Sequence, residues 1–168
     1  MTDRLVSTDR RAMPRRIMQK LEIATLLAFF AVVSPSLANS DSDRLREAGL
    51  LGSWAVDCNA PPSKTNPYQV LAPSPDGSPT RTLQVNDPKI DETVTIREVR
   101  SIARGRIGLT WTDRDGDTFR IVLLKDGNRH KSFNSIRASD GKVFVKGGRF
   151  VNSGRDTPWF TKCGAPSK

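Results

Sequence analysis

The sequence is short of the side chains that metal sites and catalytic centres use most. Its 168 residues include one histidine, His130, and two cysteines, Cys58 and Cys163. With both cysteines oxidised, a single histidine cannot assemble the ligand set of a zinc site, so no metal or cofactor is expected. No Gly-x-Ser-x-Gly elbow accompanies any serine, and no acid–base pair stands out, so an enzyme is not expected. His130 stands at a turn-to-strand boundary, in Asp126-Gly127-Asn128-Arg129-His130, and is expected at the surface. Long apolar runs are also missing. The longest, Ile23–Val33, is about half of the ~20 residues a membrane span needs.

That run sits in an export signal. Arg15, Arg16 and Lys20 precede it, and Ser34-Pro35-Ser36-Leu37-Ala38 breaks it with small residues where a signal peptidase reads. Residues 1–38 are therefore expected to be a signal peptide cleaved after Ala38, with Met13 and Met18 as alternative starts. Arg15-Arg16-Ile17-Met18-Gln19-Lys20 partly matches a twin-arginine signal, but ordinary unfolded export is the expectation. The destination is the periplasm or the exterior. There, two cysteines imply one disulfide, Cys58–Cys163, rather than free thiols in a C-x-x-C spacing.

The chain carries 27 Lys and Arg against 18 Asp and Glu, a net +9. Without residues 1–38 the net falls to +6. Scattered cations of this kind are expected to form a solvated face, with anionic neighbours such as lipid or polyanions as the alternative. No sequence-specific nucleic-acid motif accompanies them, and a monomer is expected.

Residues 39–49 read as a short arm and helix, capped by Asp41 or Ser42 and ended by Gly49. From residue 50 to 168 the chain reads as one all-β domain. Its short period-2 runs begin with Trp54–Cys58, in which Trp54, Val56 and Cys58 share a face. Asp76-Gly77, Asp115-Gly116, Asp126-Gly127 and Asp140-Gly141 separate alternating segments, the strongest hairpin signal available. A phase change between Ile96 and Val99 predicts a bulge. Asp113-Arg114-Asp115-Gly116-Asp117 has acidic residues at calcium-loop spacing, but Thr118 and Leu124 stand where that loop needs Gly and Glu; a hairpin turn is expected. Lys146-Gly147-Gly148-Arg149 offers donors and cations for a phosphate, yet no helix follows, so a bend is expected. About eight or nine sequential antiparallel strands, tied first to last by a disulfide, predict a meander closed into a barrel; a two-sheet sandwich is the alternative.

Gly52-Ser53-Trp54, after a short helical turn at the head of the first strand, resembles the Gly-x-Trp signature of lipocalins and the wider calycin group. The resemblance implies a Trp54 that plugs the closed end under an Arg from a late strand, for which Arg149 is the position chosen. Thr112-Asp113-Arg114 is the nearest approach to the further Thr-Asp-Tyr motif and does not match it. In outline the chain is also similar to bacterial periplasmic inhibitors of metalloproteases, which would make residues 39–46 an inserting arm; their disulfide loop is far shorter. The functional expectation is a non-catalytic binding protein holding a small apolar ligand in the barrel. Trp54 would form its floor, with Trp111, Phe119 and Phe133 as walls. A protein-interaction module, such as a protease inhibitor or an envelope factor, and a binder of anionic polymers or membrane are the alternatives.

Overall fold

The computed structural model describes residues 40–164, so the expected signal peptide, residue 39 and the last four residues lie outside the described residues. One helix, α1 (Asp41–Glu47), precedes ten strands. These are β1 (Gly52–Ala55), β2 (Tyr68–Pro73), β3 (Pro79–Gln84), β4 (Glu92–Ala103), β5 (Arg106–Thr112), β6 (Thr118–Asp126), β7 (Arg129–Arg137), β8 (Val143–Lys146), β9 (Arg149–Phe150) and β10 (Phe160–Lys162).

Eight strands close a ring. β1 to β7 pair in sequence order, and β10 pairs with both β7 and β1. All these pairings are antiparallel, so the fold is a closed meander barrel and not a sandwich. β8 and β9 form a hairpin outside the ring. β7 serves both parts: Arg129 and His130 pair with β10, whereas Ser135 and Ile136 pair with β8.

Local chemistry explains the turns. Gly77, Gly116, Gly127 and Gly141 all adopt positive φ, between 56° and 86°, which the aspartate-glycine turns demand of their second residue. One Asp113 carboxylate oxygen accepts the backbone N–H groups of Asp115 and Asp117, each at 2.9 Å. The acidic run is therefore a self-bonded hairpin turn. Alternation sets the walls: Ile107, Leu109 and Trp111 are buried while Gly108 and Thr110 face outward. The expected bulge lies between Ile96 and Glu98 and brings both Ile96 and Val99 into the core.

Two local expectations need correction. Ser40, not Asp41 or Ser42, caps α1: its hydroxyl oxygen accepts the Asp43 N–H at 3.1 Å. Ser42 is buried instead and donates to the Gly77 carbonyl at 2.6 Å, tying α1 to the β2–β3 turn. The first strand is also shorter than expected. It ends at Ala55, Val56 is exposed, and Cys58 lies in a turn. The chain leaves the sheet there because it must cross to the end of β10, where Cys58 and Cys163 form a disulfide with Cα atoms 5.5 Å apart. The bond closes a loop of 105 residues, nearly the whole barrel.

Candidate functional site

The two ends of the barrel interior differ in chemistry. α1 covers one of them. Asp41 accepts the Val99 N–H at 3.1 Å, Arg44 donates to the Val99 carbonyl at 3.0 Å, and Leu45 is fully buried. Beneath it Trp54 is fully buried, and its indole N–H donates to the Leu50 carbonyl at 2.8 Å. Gly52 shows why glycine opens this motif. Its φ of +125° suits no L side chain, and a Cβ there would meet Lys162 Cε at 3.1 Å. The cation over Trp54 is Lys162, with Nζ 5.5 Å from the ring centroid, and not Arg149. Arg149 lies on β9, exposed, paired to Asp156 at 3.1 Å. A late-strand cation does stand over the tryptophan, but it comes from the strand that closes the ring.

His130 belongs to this sealed end and overturns the surface expectation. It is completely buried, edge-on to Trp54 at 4.6 Å and stacked on Phe160 at 5.4 Å. Pairing with Phe160 across β7 and β10 turns it inward. Neither ring nitrogen has a hydrogen-bond partner among the described residues. Burial, then the positive charges of Arg81 and Lys125, lower its pKa from 6.5 to about 4. It is a neutral packing group at neutral pH.

The opposite end is more polar. Glu92 begins β4 just past the loop after β3, and Trp111 and Phe119 flank the β5–β6 turn. Trp111 is 4 % exposed and stacks on Phe119 with centroids 6.2 Å apart; Phe119 continues to Phe144 at 5.9 Å. Arg81 reaches along the interior and lays its guanidinium over Trp111, 4.8 Å from the ring centroid. Its side chain is only 12 % exposed, and its nearest carboxylate oxygen, on Glu92, is 3.6 Å away. That is beyond a good hydrogen bond, and among the described residues the guanidinium makes none. Five N–H donors on a largely buried cation are thus short of acceptors. A cleft of about 350 Å³ lies among the loops of this end, lined by Pro61, Pro62, Gln84, Asn86 and Asp91 but not by Arg81, Trp111 or Phe119; a larger one, of about 820 Å³, lies beside α1 against Val99 and Ile107.

Of the expected ligand-contacting residues, Trp111 and Phe119 come together here and Trp54 is at the sealed end. Phe133 is not an interior wall. A bulge places Ser132 against Leu123 and Asn134 against Val122, leaving Phe133 as the extra residue. Its ring lies on the outer surface under the exposed Arg106, whose guanidinium is 4.3 Å away. Arg81 and Glu92 escaped the sequence reading. One signal was available: Arg81 is two residues from Leu83 in an alternating strand and so shares its inward face.

Among the described residues, no group of three or more His, Cys, Asp or Glu is placed to hold a metal ion. No protein-family model matches the chain, and no curated protein is found to be similar to it.

Proposed function

We propose that this chain is an exported, non-catalytic binding protein of the calycin-like type. In this reading its barrel holds a small ligand at the end opposite α1. The apolar body of the ligand lies against Trp111 and Phe119, and an acidic or acceptor-rich head faces Arg81. The observation that carries the reading is Arg81 itself, an interior cation over Trp111 that is paired loosely with Glu92 and makes no hydrogen bond among the described residues. A guanidinium in that position gains more from a carboxylate-bearing ligand than from bulk water. The purely apolar ligand expected from the sequence is thereby given a charged head. The disulfide fits export to an oxidising compartment, and the signal peptide remains part of the proposal. A protease-inhibiting arm is the weaker reading, because α1 is bound to the barrel through Asp41, Ser42 and Arg44 rather than free to insert.

Native mass spectrometry of the protein recovered from the cells that make it tests this reading. The expected result is a chain beginning at Asn39 that carries a discrete extra mass, lost on denaturation and absent from Arg81→Met. A bare chain in every preparation would overturn ligand carriage, and a chain retaining residues 1–38 would overturn export by cleavage.

A further inference from the structure

The β8–β9 hairpin lies outside the ring of eight strands; it packs on the ring through Val145 and Phe144 and leaves its other side chains exposed. Of the six large hydrophobic residues that are conspicuously exposed among the described residues, three fall here: Val143 at 41 %, Phe150 at 37 % and Val151 at 56 %. Residues 142–156 also carry four cations against one carboxylate, Asp156, and that carboxylate is engaged by Arg149. Lys146 and Arg155 are exposed and have no ion-pair partner among the described residues. Gly147 and Gly148 form the tip, both at positive φ, so the two short strands fold back closely on each other.

Each feature alone would be ordinary; scattered exposed apolar side chains occur on every surface. Their coincidence on one hairpin at the end of the sheet order selects a partner. A soluble polyanion would reward the cations but gain nothing from the valines. An apolar protein groove would reward Phe150 and Val151 but not the excess positive charge. A bilayer surface of anionic phospholipid rewards both, since headgroups attract the cations while the aromatic and aliphatic side chains enter the acyl boundary.

We infer that the β8–β9 hairpin docks the protein on an anionic phospholipid surface, with Phe150 and Val151 entering the interface and Lys146 and Arg155 resting on headgroup phosphates. Phe150, Val151, Lys146 and Arg155 are not among the residues of the barrel-end site, so either proposal can fail without the other.

Vesicle flotation tests it, using phosphatidylcholine alone and phosphatidylcholine containing phosphatidylglycerol. The protein should float only with the phosphatidylglycerol vesicles. Phe150→Ser with Val151→Ser, and separately Lys146→Glu with Arg155→Glu, should each weaken that binding by roughly tenfold. Both pairs are exposed, so the circular dichroism spectrum and melting temperature should not change. Failure to float with anionic vesicles overturns the inference. Equal binding by the serine variant overturns it as well, because it would make the contact purely electrostatic. Complete displacement by soluble polyphosphate at moderate salt would identify a polyanion as the partner instead.

Discussion

The two ends of the barrel interior use the same strands and the same alternation but contain opposite chemistry. At the α1 end, Leu45, Leu50, Trp54, His130 and Phe160 are at most 5 % exposed. The one polar ring among them is held neutral by burial. Arg81 starts from the row of Gly52 and Leu71, where its charge is felt at His130, and its guanidinium reaches toward the far end, 3.6 Å from Glu92 and beside two stacked aromatics. A dry, apolar plug contributes to stability in proportion to the area it buries. A loosely paired interior ion pair contributes little or nothing, because desolvation offsets its attraction. The comparison teaches that the two ends should differ in how much they contribute to folding.

The largest break in this comparison is the seam that both ends share. Replacing Cys58 and Cys163 by serine should cost about 5 kcal/mol, from the chain entropy released by a loop of 105 residues. Denaturant unfolding of oxidised and substituted protein measures it. Next come matched truncations at the two ends. Trp54→Ala should cost about 4 kcal/mol, since it leaves a cavity and an unpaired Leu50 carbonyl. Phe119→Ala, at the more polar end, should cost about half of that. Equal costs would remove the distinction.

A smaller effect comes from pH. The unfolded chain takes up a proton on His130 near pH 6.5, whereas the folded chain does so only near pH 4. The contribution of neutral His130 to stability is therefore complete above 6.5, falls as the pH drops from 6.5 to 4, and levels off below. The loss should amount to about 3 kcal/mol. His130→Leu should flatten that part of a stability-versus-pH curve measured by thermal unfolding. The smallest effect belongs to Arg81→Met, which should change stability by less than about 1 kcal/mol in either direction. A large destabilisation would instead give the Arg81–Glu92 pair a structural role.

Much of the ring was legible in the sequence because its determinants are local. Aspartate-glycine turns fix hairpins through the conformation of one residue, and a phase change in apolar spacing announces the β4 bulge. Closure was legible from the cysteines, since the first and last strands of a meander meet only in a barrel. What escaped depends on register between strands. A single unpaired residue in β7 turns Phe133 outward, because each extra residue reverses the faces that follow. His130 is buried through its partner Phe160, thirty residues downstream, and no spacing within its own strand marks it. Lys162 rather than Arg149 crosses Trp54 because β10, not β9, completes the ring. Arg81 and Glu92 were overlooked for a related reason. Charged residues in a period-2 run read as outward-facing until the strand pairing shows which face is inside.

The central claim is that the sealed end is structural and the charged end holds the ligand. Amide chemical shifts recorded while a medium-chain carboxylate such as decanoate is titrated into the protein test it most directly. The account predicts saturable shifts at Arg81, Glu92, Trp111 and Phe119, quiet amides at Leu50 and Trp54, and roughly tenfold weaker binding by Arg81→Met. Shifts centred on Trp54, or no saturable shift anywhere in the barrel, would contradict it.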